Sequence, residues 1–389
     1  MAPTGAVAAA ALAGQALTFG IEEEYFLVHP GSRRLVKRVP QRLLRECRRR
    51  YGKVICPELL QSQLEVASPV FASGAEAREC MSRLRRGLAE VAASMGYRLV
   101  AAGSHPLANW QRLQPTARAR YTQLIDDFQI VGRRNVLCGL HVHAAVPAGV
   151  DRVALMNRLL PWLPVFLALS TSSPFWERAP TGLLSYRQAA YDEWPRTGIP
   201  DRFADEAEYA GFVRLLAERG AIADASYLWW AIRPAQHYPT LELRIADCCT
   251  RIEDSLALAA LFRCLVRAHL RQPELGAGHG PYTRRLVEEN RWRAKRWGIE
   301  GSLLDERRPD PVPFATRLDE LRELVAEDAA ALDCEDALRQ LTRIMAHGTS
   351  AHQQLAIYHE QLAAGAGVPA ALRAVVDWLI RATVGEDEA

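Results

Sequence analysis

The sequence predicts a mixed fold, with short strands and helices alternating through the first two-thirds and helices filling the rest. Three observations predict it. Five β-favouring runs lie between turn signals at residues 17–28, 63–68, 97–102, 138–146 and 239–246. From about residue 253 helical periodicity dominates to 384, broken only near Pro273 to Gly280, Gly298 to Gly301 and Pro309 to Pro313. The 389 residues are 49% hydrophobic and 24% charged, enough to bury a large core without disulfide support.

The elements follow in order. Residues 1–16, rich in Ala and Gly with no basic start, read as a flexible tail rather than a signal peptide. The expected body is one domain over 17–384, sheet-rich at 17–250 and helical at 251–384, with a polar tail at 385–389. A helix over about 75–95 follows Ser73-Gly74, carries Leu84, Leu88 and Val91 on one face, and stops at Gly96. Another spans about 151–171, capped by Asp151 and kinked or interrupted by Pro161 and Pro164. Residues 172–205 read mostly as a loop, rich in aromatic residues and Arg, which argues for function rather than disorder. No apolar run reads as long and clean enough to span a bilayer; the best, Leu159 to Leu169, is short and holds two prolines.

Composition narrows the function. A net charge of +3 is too balanced to argue for nucleic acid, and Arg48-Arg49-Arg50 reads as a solvated helix face. Eight scattered cysteines without C-x-x-C spacing fit reduced thiols in the cytoplasm rather than a zinc ribbon. Glycine-rich nucleotide signatures are absent.

Chemistry concentrates in the strands. Glu22, Glu23 and Glu24 sit inside the apolar run Phe19 to Val28. Alternation puts Glu22 and Glu24 on one face and Glu23 on the other, where it is expected to tolerate substitution better. Two like charges on one strand face need a partner, and a hard divalent cation is the simplest; an exposed edge is the bland alternative. Glu65 sits in a second strand, with Glu58 a weaker candidate upstream. His141 and His143 share a face of Gly139 to Val146, and imidazole there suits metal or phosphate. Glu242 and Arg244 share a face of the last strand, near Asp247. A structural ion pair explains them, and so does a site that holds metal by carboxylate and phosphate by guanidinium.

These residues carry a resemblance. Gly20-Ile21-Glu22-Glu23-Glu24, Leu60 to Glu65, Cys138 to His143, Ser172-Ser173-Pro174-Phe175-Trp176, Thr181-Gly182 with Arg187, Trp230 to Pro234 and Leu241 to Arg244 occur in one order. Over about residues 17–375 the chain resembles the carboxylate–amine ligases of the bacterial type 2 glutamate–cysteine ligase family, and more distantly glutamine synthetase. The resemblance implies an α+β, glutamine synthetase-like fold: a curved, mainly antiparallel sheet forming a funnel, flanked by helices, with a helical C-terminal portion. It implies ATP and two or more Mg²⁺ ions. Glu22, Glu24, Glu65, His141 and Glu242 would hold metal, with Glu58 a helper. His141, Arg233 and Arg244 would touch the nucleotide. Arg187, Arg233 and Arg244 would serve catalysis, and the aromatic stretch 175–194 would act as a lid. The partners implied are a small carboxylic acid and an amine, with no nucleic acid or membrane, in a cytoplasmic homodimer. The family default joins glutamate to cysteine, though these residues fix neither substrate, so another acid–amine pair stays open. H-x-H strands also occur in metal-dependent amidohydrolases, but three Glu-bearing segments favour magnesium over zinc.

Overall fold

The computed structural model describes residues 17–278 and 280–386. The tail expectations for 1–16 and 387–389 lie outside the described residues. Eleven strands occur among those described. Seven make one sheet: β1 (Phe19–Val28), β2 (Ile55–Pro57), β3 (Gln63–Ala67), β4 (Arg98–Val100), β5 (Gly139–Ala145), β8 (Ile232–Pro234) and β9 (Thr240–Asp247). The remainder pair as two-residue ribbons, β6 (Phe175–Trp176) with β7 (Ala179–Pro180), and β10 (Ser302–Leu303) with β11 (Val312–Pro313).

The sheet order is β2-β3-β1-β5-β9-β8, with β4 beside the far end of β1. Every pairing in it is antiparallel. The α+β class with an antiparallel sheet is therefore as expected, and all five sheet runs read from the sequence are strands. β2 and β8 escaped that reading because three residues are too few to show alternation.

β9 contains a bulge. Leu140 opposes Ala246 and Val142 opposes Leu243, so Arg244 and Ile245 together face the position of His141. The extra residue turns Asp247 onto the same face as Glu242, which strict alternation would deny it.

Helices cover the other face. Gly74–Ser94 begins at a capping box between Ser73 and Glu76 and ends before Gly96, at φ +81°. Ile252–Arg271 is buried along most of its length and packs on β1 and β5. Five further long helices follow, with breaks where Pro and Gly predicted them. Asp151 accepts hydrogen bonds from the Val153 and Ala154 N–H groups, capping Arg152–Leu159. Pro161 and Pro164 interrupt that α-helix, as expected, without ending the helical segment. A 3-10 turn at Leu160–Trp162 carries it into Leu163–Ser170. Arg152–Ser170 is consequently long and apolar enough to cross a membrane by length and composition, contrary to the sequence reading, but 83% of that window is buried in the protein.

The stretch 172–205 also differs from expectation. It holds the β6–β7 ribbon and a helix at Tyr186–Tyr191, and Ser172, Ser173, Phe175 and Trp194 are buried. Its aromatic residues fasten it to the body, so it is a wall of the site rather than an irregular flap.

Candidate active site

Pairing register, more than sequence proximity, assembles the site. In antiparallel strands, directly opposed residues project to the same side. Glu24 opposes Glu65 across β1 and β3. Glu22 opposes His141 across β1 and β5. His143 opposes Glu242 across β5 and β9, and Arg233 opposes Glu242 from β8. The result is a cavity of about 490 Å³ on the open face of the sheet. All nine nominated residues line it: Glu22, Glu24, Glu58, Glu65 and His141, then Arg187, Arg233, Glu242 and Arg244.

The charges fall into two groups. On the β1–β5–β9 side, Glu22 lies 3.2 Å from His141 Nδ1 and 3.4 Å from His143 Nε2. Burial opposes its charged form, but hydrogen bonds from the two histidines outweigh that and hold its carboxyl well below the usual range. Glu242 is bracketed by Arg233, whose Nε donates to it at 2.7 Å, and by Arg244. Burial again opposes ionisation, and the two guanidinium groups more than offset it, keeping Glu242 charged. Arg244 Nη2 also reaches Tyr191 Oη at 3.4 Å.

On the β1–β3 side Arg244 offsets the acids only in part. Burial, then the nearby Glu24 charge, pushes the Glu58 carboxyl up to about 8. Burial followed by Glu58, Glu22 and Glu24 drives Glu65 well above its ordinary value. His141 is held neutral, its pKa lowered by burial and then by Arg244. Its Nε2 is buried without a hydrogen-bond partner.

These residues fit magnesium. Glu24 and Glu65 oppose each other on neighbouring strands, and the raised Glu58 and Glu65 carboxyls call for more positive charge, which a hard divalent cation supplies. The ligating atoms of Glu22, His143 and Glu242 all lie within 4.8 Å of one another. His143 was noted in the sequence only as sharing a face with His141, and no role came with it. The structure sets it opposite Glu242, with its Nδ1 3.0 Å from Thr240 Oγ1.

Arg187 sits in the first turn of Tyr186–Tyr191, 3% exposed, rather than in a loop. Its Nη1 donates to Ala246 O at 2.9 Å, and its guanidinium lies over the Tyr191 ring. Asp247, fully buried, lies 3.9 Å away and also accepts from Ser172 N, Ser173 Oγ and Ser185 Oγ. It ties the arginine-bearing segment to β9. Gly139 leaves room for this: a Cβ there would stand 2.3 Å from Arg187 Nη2 and 3.0 Å from His141 Nε2. Tyr191, Trp194 and Trp229 also line the cavity. They were not singled out as site residues, because an aromatic residue outside a strand has no periodicity to betray its direction.

Glu23 faces away from the cavity, as alternation requires. It does not meet solvent there. Fully buried, it accepts from Arg85 Nε at 2.9 Å, and from Tyr25 and Ser255 hydroxyls. Arg85 is itself 1% exposed and caps the Thr250 and Cys249 carbonyls. The expected tolerance at Glu23 is therefore replaced by a buried ion pair.

Comparison with known proteins agrees with this geometry. Residues 18–368 match glutamate–cysteine ligase family 2. A relative from Ectopseudomonas mendocina carrying the name glutamate–cysteine ligase 2 is 46% identical over 94% of this chain and 97% of its own. One of the same name from Rhodospirillum rubrum is 45% identical over 95% and 96%. Among solved structures, the glutamate–cysteine ligase of Francisella tularensis in complex with AMP superposes with a TM-score of 0.69, at 13% identity, over 96% of this chain and 89% of that one. A bifunctional glutathione synthetase from Pasteurella multocida also gives 0.69, at 14% identity, over 94% and 52%. The family match and the two relatives together place the chain in glutamate–cysteine ligase family 2, whose members are ATP-dependent C–N ligases.

Proposed function

We propose that the protein joins a carboxylic acid to an amine through an acyl phosphate, with glutamate and cysteine as the acid and amine suggested by its relatives' names. The observation that carries the reading is the cross-strand series from Glu65 to Arg233, which sets cation-binding carboxylates beside guanidinium groups in one cavity. A carboxylate resists amine attack because its charge repels nucleophiles and oxide leaves poorly. Transfer of the γ-phosphoryl group of ATP to a carboxylate oxygen removes both obstacles. The amine nitrogen then attacks the carbonyl carbon and phosphate departs. One proton is released for each amide made from an ammonium substrate.

Phosphoryl transfer asks mainly for positioning and charge neutralisation. Glu22, Glu24, Glu65 and Glu242, with His143 or His141 and with Glu58 as helper, would hold magnesium, which would supply charge neutralisation on the nucleotide's phosphates. Arg233 and Arg244 are rigidly held beside Glu242 and present the remaining guanidinium donors to the transferring group. Arg187, fixed at the cavity floor, takes a phosphate or substrate-carboxylate oxygen. The packed wall of Tyr191, Trp194 and Trp229 limits water near the acyl phosphate. Reduced thiols throughout the described residues fit a cytoplasmic setting, and a homodimer completes the proposal. ADP release should require acid and amine together. ADP release from neither glutamate plus cysteine nor any pooled acids and amines would overturn the reading.

A further inference from the structure

A cationic track runs from the outer surface to the catalytic mouth. A basin of about 440 Å³ is bordered by Arg34, Lys37, Arg38, Arg112 and Arg178, over a floor that includes Leu35, Leu107 and Tyr97. Arg38 also borders a second cavity of about 240 Å³, which adds Arg48 and Arg118. Arg118 in turn borders the catalytic cavity. The three spaces thus share cations at their junctions. Among the described residues no carboxylate lines the basin or the second cavity, although the chain has 45 acidic residues. All seven cations are exposed, and none of them has a carboxylate partner among the ion pairs found.

One of them is held at a conformational cost. Arg178 and Glu177 form the two-residue turn between β6 and β7, with φ of +69° and +45°. Turns of that geometry select Asn-Gly, and a pair of long side chains there is strained. The turn nonetheless projects Arg178 to the basin.

We propose that this track binds an acidic peptide whose reacting carboxylate enters the catalytic cavity, so that the acid substrate is an oligomer of acidic residues rather than a single amino acid. The proposal rests on the ligase reading. In that reading the nucleotide's phosphates occupy the carboxylate and guanidinium cluster, which leaves the track to the other anionic reactant. A free amino acid would need one or two of its seven cations. A chain of carboxylates uses them in series and is drawn in by their summed field. Chemistry at the reacting carboxylate is unchanged.

Labelled hexaglutamate, followed by fluorescence anisotropy without ATP, tests the track independently of turnover. Binding should exceed that of a neutral hexapeptide and weaken as salt screens the charges. The triple variant Arg34→Gln, Arg112→Gln, Arg178→Gln should bind about tenfold more weakly. With ATP and an amine, the same variant should lose a similar factor in kcat/KM for hexaglutamate relative to free glutamate, through KM. Equal binding of neutral and acidic peptides, or undiminished binding by the triple variant, overturns the proposal. So does selective capture of tripolyphosphate or nucleic acid without hexaglutamate. Peptide binding with no ADP release from any acid defeats the ligase reading instead and leaves the track standing.

Discussion

Glutamates 23 and 65 respond in opposite ways to neutralisation, although both belong to one strand pair. Glu23→Gln leaves Arg85 charged in a site where it is 1% exposed. Removing one partner of a buried pair costs roughly 3–5 kcal/mol, because the survivor stays desolvated. Unfolding entropy of roughly 2.1 cal/mol/K per residue gives about 0.8 kcal/mol/K for a chain this long. The melting temperature should therefore fall by about 4–6 °C. Glu65→Gln removes a buried acid directly opposite Glu24, one that at pH 8 costs the fold either a repelling charge or the uptake of a proton. In magnesium-free buffer at pH 8 it should raise the melting temperature by about 1 °C or more while abolishing turnover. Differential scanning calorimetry in EDTA reads both. Replacing the whole pair, Glu23→Leu with Arg85→Met, should recover part of the loss, although the Thr250 and Cys249 carbonyls lose their donor. The reasoning fails if Glu23→Gln melts within about 1 °C of the parent, or if both single variants lose the same amount.

Further outcomes follow from the site. Arg244→Ala should lower kcat about 10²–10³-fold with an unchanged circular dichroism spectrum, since charge stabilisers of this kind carry that much. Glu58 and Glu65 have folded-state pKa values raised above their unfolded ones, so the metal-free fold holds more protons than the unfolded chain. The stability that Glu58 contributes is then full below about pH 4.5 and is lost as pH rises through about 8, and Glu65 adds a loss of the same sign. Magnesium should reverse that loss and release protons on binding, both measurable by calorimetry in buffers of different ionisation enthalpy. His143→Ala should raise the magnesium concentration needed for half-maximal activity about tenfold or more; an unchanged requirement would remove His143 from the metal group. Gly139→Val should keep the fold and lose activity, as its side chain enters the space of Arg187 Nη2. A fully active variant would show that Arg187 need not stand there.

Much of the site was legible because strand alternation is a two-fold rule. Glu22, Glu24, His141 and Arg244 were assigned to faces correctly, and all nine nominated residues meet in one cavity. The other face was harder. Nothing local to Glu23 announces Arg85, which arrives from a helix 62 residues away. Asp247 was placed near the strand end, but its inward direction depends on a bulge that only pairing reveals. Pro161 and Pro164 were read as kinking or interrupting their helix, since a proline removes a hydrogen bond wherever it sits, and the α-helix gives way to a 3-10 turn there. The stretch 172–205 lacks periodicity, so its packing could not be inferred from pattern.

The bulge in β9 gives that strand two phases. Before it, even-numbered residues face the cavity side, where Glu242 and Arg244 line the cavity and Thr240 touches His143. After it, odd-numbered residues take over, and Asp247 anchors the segment that carries Arg187. A single backbone irregularity thus lets eight residues serve two tasks with opposite parity. The anchor accordingly depends on the chain bulging there: the same eight residues paired in unbroken alternation would leave Glu242 in place and turn Asp247 away from the serines it holds. Deleting Ile245 would remove the bulge yet keep Asp247 opposite Gly139, so a shorter strand would serve both tasks where a straightened one would not.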